Sequence, residues 1–286
     1  MSASYAWTTR DVVTVSGPDA ATYLQGQISQ DVLGLAIGAS ASTFVLAPQG
    51  KVDGWGRIRR TADDSFAIDV DAGAGDAWQP RLSRFLLRTK AAIAVTPEVA
   101  TLSVRGAEAP ASLADDALPL PGLGAVGFDL VGADAAAVAE LPSGAVEVDA
   151  SDLEPFRIRA GVPAWGSELD GDTIPATVGQ WVIDSSVSFT KGCYTGQELV
   201  ARIDSRGGNV PRHLMGIVID GPPPAPGTVI TVDGAAAGAV TSSALDGERG
   251  ETVALGFVPR SIEVGAEGTK AEVAGVPARL VALPIT

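Results

Sequence analysis

From His213 onward the sequence leaves almost no room for a helix. "HLMGIVIDGPPPAPGTVITVDGAAAGAVTSSALDGERGETVALGFVPR" is a run of short apolar segments, each ended by Gly, Pro or Asp before it reaches helical length. Segments of that kind, joined by turn residues, close on themselves as a small β-barrel or sandwich. The change of character at Arg212 divides the chain into an N-terminal region, 1–212, and a C-terminal domain, 213–286. The proline cluster at 222–226 reads as a loop inside the second of these.

The N-terminal region alternates between periods. "DVVTVSG" is strand-like and runs into a helix at "SGPDAATYLQGQI", where Pro18 suits the first turn and Ala21, Leu24 and Ile28 share a face. "STFVLAPQGKVDGWGRIRR" reads as two strands joined at "PQG", and "DSFAIDV" alternates in strand period. "AWQPRLSRFLLRTK" places Trp78, Leu82, Phe85 and Leu86 at helical spacing, with Arg81, Arg84 and Arg88 along one side. Residues 101–150 suggest a compact lobe of strands "TLSVRG", "AVGFDLV" and "AVEVD" with short helices at "APASLA" and "ADAAAVAEL". A helix restarts at "SDLEPFRIRAG", with Ser151 and Glu154 spaced as a capping box and Gly161 as the stop. Two α+β lobes followed by a small β domain is the expected architecture.

A chain of 286 residues exceeds one modest core, and 46% hydrophobic residues suit a folded protein. Its net charge of −14 opposes broad binding to nucleic acid or to an anionic membrane. The charge is uneven. Ten acidic residues and no basic one lie between Glu108 and Glu154, whereas "KVDGWGRIRR" and "RLSRFLLRTK" hold eight of the twenty cations. No secretory signal or spanning segment is visible, and a single cysteine fits a reducing compartment, so a cytoplasmic location is expected. One histidine, His213, and one cysteine leave no Cys/His zinc site or cysteine-held cluster, and the reading assigns no metal. "GLGAVG" at 122–127 has dinucleotide-loop glycines but follows no strand and opens no helix.

The lone cysteine stands in "FTKGCYTGQELVARIDSRGG", residues 189–208. Thr195 and Glu198 have capping-box spacing, so a helix is expected to begin at Thr195 with Cys193 just ahead of it. The helix end and Lys191 would both favour a thiolate, the nucleophilic form of cysteine. Gly192 and Gly196 permit a tight turn or a close backbone approach. A plain structural account also exists, in which Cys193 is a small buried residue, Tyr194 packs, and Glu198 caps the helix and pairs with Arg202.

"KGCYTGQE" resembles the signature of the YgfZ group of folate-binding proteins, relatives of the glycine-cleavage T-protein. "VSGPDAATYLQGQISQDV", "LAPQGKV", "RLSRFLLRTKAAI", "RIRAGVPAWG" and "GAVTSS" resemble that family's other blocks in its order, so the resemblance spans nearly the whole chain. It implies an α+β fold of three lobes, a GcvT-like cloverleaf around a central channel, ending in a small β-barrel. It also implies tetrahydrofolate as cofactor and a part in iron–sulfur cluster assembly or repair, with clients such as a tRNA methylthiotransferase. Carried over by position, the signature residues are Lys191, Gly192, Cys193, Tyr194, Gly196, Gln197 and Glu198, with Cys193 the reactive group. Partners would be folate and iron–sulfur client or assembly proteins, with neither nucleic acid nor membrane bound directly.

Two positions depart from the T-protein pattern. The acidic pair after the glycine turn is reduced to Asp53, and the Pro-x-Glu that anchors a pterin reads Ile174-Pro175-Ala176-Thr177. A threonine cannot replace a carboxylate that pairs with two donors, so weak folate binding is expected. Three functions stay open: a folate-dependent accessory factor for iron–sulfur proteins, an aminomethyltransferase, and a non-catalytic folate-binding module. The two departures and the cysteine block weigh against the second. Whether the chain catalyses a reaction is left undecided.

Overall fold

A computed structural model describes residues 3–286. The N-terminal region opens with strand β1 (Ser4–Ser16), helix α1 (Ala20–Gln27), strands β2 (Ser40–Leu46), β3 (Val52–Ala62) and β4 (Ser65–Asp71), and helix α2 (Gly75–Ser83). The chain continues through β5 (Ala92–Arg105), β6 (Leu118–Pro119), β7 (Gly127–Val131) and β8 (Val146–Glu147), then helices α3 (Glu154–Ala160), α4 (Gln180–Ser186) and α5 (Gln197–Asp204). All eight strands belong to one sheet, ordered β2-β3-β4-β1-β5-β7-β6, with β8 pairing the start of β1 in parallel. The strands of residues 101–131 therefore extend the first sheet through β5. Helices α1 and α2 cover one face, where Leu24, Ile28, Trp78 and Leu82 meet Val13, Ile58, Phe66 and Ile68.

A β-bulge between Arg10 and Val12 turns Asp11 inward, and its carboxylate accepts from the backbone N–H groups of Gly73, Gly75 and Glu98. A buried charged layer crosses the same sheet. Arg57 on β3 pairs with Asp69 on β4 at 2.6 Å and with Asp129 on β7 at 2.8 Å, while Arg10 and Arg105 reach Asp69 and Asp129 from β1 and β5.

The last six strands are β9 (Arg212–Ile219), β10 (Val229–Val232), β11 (Ala235–Asp246), β12 (Glu251–Pro259), β13 (Thr269–Val273) and β14 (Val276–Val281). They form a closed barrel in the order β10-β11-β12-β9-β14-β13, closed by β10 pairing with β13. Of the two forms left open by the sequence, the barrel is the one adopted. Ile217, Ile230, Ala254, Val258 and Leu280 fill its interior. Strand β12 is buried on both faces: Ala254 and Val258 point into the barrel, and Val253, Leu255 and Phe257 pack with Phe44, Leu46, Val52 and α4.

Several local expectations are corrected. The "APASLA" segment forms turns, and "ADAAAVAEL" forms only a 3₁₀ helix, Ala135–Glu140, capped by Asp134 and too short to repay α-helix nucleation. Ser151 makes no capping bond, because Glu154 turns to Arg157 instead, although Gly161 ends α3 at φ 69° as read. Helix α2 stops at Ser83. The Tyr23 hydroxyl donates to the Leu82 carbonyl, and the N–H of Leu86 turns to Ser83, so the i→i−4 ladder is not continued.

Candidate functional site

The signature segment crosses the C-terminal end of α1. Helix α4 ends at Ser186, and the chain is fastened to the loop after α1 by the Ser188 N–H to the Ser29 carbonyl, 3.0 Å, and the Ser29 hydroxyl to the Ser186 carbonyl, 2.6 Å. The Lys191 ammonium donates to the carbonyls of Ile28 at 2.8 Å and Gln30 at 2.7 Å, just past the last turn of α1. Both acceptors lie past the helix, so Lys191 fastens the loop that follows α1, beside the partial negative charge of the helix end, while the Thr195 N–H takes the Gly26 carbonyl of the helix itself. Burial pushes its pKa down to about 8, against the opposing pull of Asp31. The ammonium also lies 5.2 Å from the ring centre of Tyr194, which is 8% exposed and whose hydroxyl burial pushes up to about 12.

The glycines are required by close approach. Gly196 has φ +83°, and a Cβ there would lie 2.5 Å from the Ala47 carbonyl oxygen. Gly50, at φ +81°, faces it from the β2–β3 turn, where a Cβ would lie 2.4 Å from that of Leu199. The "PQG" turn and the signature loop thus meet backbone to backbone. Helix α5 begins at Gln197 behind this left-handed glycine, not at Thr195, and no Thr195–Glu198 capping box forms. Instead the Gln197 side chain accepts from the Tyr194 N–H at 3.2 Å, and the Thr195 N–H goes to the Gly26 carbonyl. Glu198 is exposed in the first turn.

Cys193 is exposed on this fastened loop, so the account of a buried structural cysteine does not apply. Nor do the helix end and Lys191 meet Cys193 as expected from the sequence. Cys193 precedes the N-cap, Gly196, by three residues, and Lys191 is directed at carbonyl oxygens. Gly192 beside it faces open space.

The neighbouring positions are committed elsewhere. Asp53 pairs with Arg81 at 3.2 Å, and Arg81 also donates to the Leu46 carbonyl and the Gln27 side chain. Arg81 is therefore buried under the turn and does not form a basic face with Arg84 and Arg88, which lie beyond the helix. Arg88 takes φ +64°. Thr177 is buried, and its hydroxyl donates to the Ile174 carbonyl at 2.7 Å. Trp55 donates to the Ser186 hydroxyl at 2.9 Å and meets Trp181 edge-on, and Trp181 Nε1 has no acceptor among the described residues. The sequence reading missed Glu168. This fully buried carboxylate pairs with Arg157 at 3.0 Å and accepts from Ser242 at 2.6 Å and from Thr241, tying "RIRAGVPAWG" to "GAVTSS". Its signal in sequence was only its place between those two blocks.

Residues 212–286 match the glycine cleavage T-protein C-terminal barrel domain. The crystal structure of the glycine cleavage system aminomethyltransferase T from Bartonella henselae is similar at a TM-score of 0.78 and 22% identity, covering 100% of this chain and 86% of that one. Fold and barrel together define the class as GcvT-like. The tRNA-modifying protein YgfZ of Klebsiella pneumoniae (strain 342) is 31% identical over 69% of this chain and 66% of its own length, and that of Serratia proteamaculans (strain 568) is 31% identical with the same coverage. The chain belongs to the YgfZ/GcvT-like family. No helix among the described residues is long and apolar enough to cross a membrane.

Proposed function

We propose that this chain is an accessory protein of the YgfZ type that supports iron–sulfur enzymes of tRNA modification, with Cys193 as the group it presents to them. The observation that carries this reading is an exposed cysteine on a loop fastened on either side of it, at Lys191 and again from Tyr194 to Gly196. A solvent-facing thiol on a rigid loop is arranged for contact with a partner, whereas a packing cysteine would be buried. The relatives are named tRNA-modifying proteins, which supports tRNA modification as the setting, and the iron–sulfur clients follow from the family resemblance of the signature.

Tetrahydrofolate enters this reading as a weakly held ligand. The residues present do not fit a carboxylate-anchored pterin, because the Thr177 hydroxyl is spent on its own turn and Asp53 on Arg81. Affinity on the order of 10 μM or weaker, about −7 kcal/mol, is expected, and no chemical step is assigned to the folate. The same two commitments disfavour aminomethyl transfer.

The test is complementation. In a strain lacking this chain, Cys193→Ala should leave methylthiolated tRNA at the level of the deletion, while the purified variant melts as the parent does. Full restoration of methylthiolation by Cys193→Ala would remove the cysteine from the function.

A further inference from the structure

A concavity whose lining shares no residue with the signature loop opens beside α3. It is a cleft of about 790 Å³ where the 120–126 loop, β8, α3 and the β11–β12 hairpin converge. Its walls include Leu123, Val126, Val146, Phe156 and Leu245. Val126, Val146 and Leu245 are 48–57% exposed, three large apolar side chains from distant parts of the sequence that face one space. Exposed apolar groups brought together in a concave site of this size mark a ligand pocket.

One polar group in the wall is unmet. Arg159 on α3 is 11% exposed, with Nε on Asp246 at 2.6 Å and Nη2 on Glu251. Its Nη1 is buried and has no hydrogen-bond partner among the described residues. The guanidinium charge is already answered by two carboxylates, and the other ionised side chains of the wall are Asp152, Glu248 and Arg249. An anion would thus enter a negative surrounding, while a cation would meet a donor. A neutral acceptor satisfies the free N–H without either conflict. The hairpin is also preset, since Asp246 accepts from the N–H groups of Glu248 and Arg249 at its tip.

We infer that this cleft binds a compact, uncharged, largely apolar molecule whose carbonyl oxygen accepts from Arg159 Nη1 once the side chain turns that buried N–H toward the cleft. The cleft shares neither Cys193 nor the Asp53 and Thr177 positions considered for the pterin.

The test uses three fluorescent probes on the full chain. Nile red is neutral and bears a carbonyl, diphenylhexatriene is a neutral hydrocarbon, and anilinonaphthalene sulfonate is an anion. Nile red should bind saturably at one site with blue-shifted emission, and the sulfonate about tenfold more weakly. Leu245→Glu, on an exposed strand position, should weaken Nile red about tenfold without lowering the melting temperature. Arg159→Lys should weaken Nile red about fivefold and leave diphenylhexatriene unchanged. Unsaturable Nile red binding, or binding indifferent to Leu245→Glu, overturns the site. Equal affinity for the sulfonate overturns the uncharged class, and an equal effect of Arg159→Lys on both neutral probes overturns the carbonyl contact. Should Arg159→Lys fail to fold, the Leu245→Glu and sulfonate comparisons still decide the proposal.

Discussion

Lys191 is the residue whose role changes most between sequence and structure. Its ammonium fastens the loop after α1, and burial lowers its pKa to about 8 from 10.5. Between those values the unfolded chain still holds a proton that the folded chain has released, so this residue makes stability rise with pH across that window. The gain is about 1 kcal/mol once solvent access to the amine is allowed for. Tyr194, pushed up to about 12, acts in the opposite direction above pH 10, so the measurement belongs between pH 8 and 9.5. Urea melts should show a rise in the parent that is absent in Lys191→Met, and parallel pH profiles would remove Lys191 as the cause. The signature itself was legible, because its residues are consecutive. The work of its lysine was not, since the acceptors lie about 160 residues away in sequence. Glu168 was invisible for the same reason: its hydroxyl partners are on β11.

At the level of elements, periodicity found the strands and the apolar faces of α1 and α2, but it misjudged where helices begin and end. The stripe of Trp78, Leu82 and Leu86 continues past Ser83, yet the helix ends once a tyrosine hydroxyl takes the Leu82 carbonyl. Likewise a left-handed glycine, held by contact with another turn, decides where α5 starts. Tertiary contacts of this kind override local propensity. The sheet's charged layer gives a test at this scale. Burial would raise the Asp129 pKa, but Arg105 and Arg57 outweigh it and hold the carboxylate well below the ordinary range. A depressed carboxylate stabilises the fold above about pH 4, and the contribution is lost as pH falls further. Arg57→Met leaves Asp69 and Asp129 short of a partner and should cost about 3–5 kcal/mol at pH 7. That deficit should narrow below pH 4 as the stranded carboxylates protonate. A deficit constant from pH 7 to pH 3 in denaturant melts would assign the loss to packing instead.

For the molecule as a whole, the decisive element is β12, which belongs to two cores at once. Leu255 lies among Phe44, Leu46, Val182 and Tyr194 in the cluster between sheet and barrel. Leu255→Ala should cost about 2–5 kcal/mol, and should lower the melting of sheet and barrel together in a single transition. Two separated transitions in calorimetry of the parent would contradict a shared core. The division at Arg212 was readable because turn residues punctuate the barrel strands. The shared strand was not, because an apolar run such as "TVALGFV" looks the same whichever neighbours cover it. The sharing also bears on the order of manufacture. Phe44 is made about 210 residues before Leu255, and at roughly 5–20 residues per second a ribosome needs about 10–40 s to supply the missing cover. Throughout that interval the nascent sheet holds an unfinished apolar face, which is covered only when the final strands emerge.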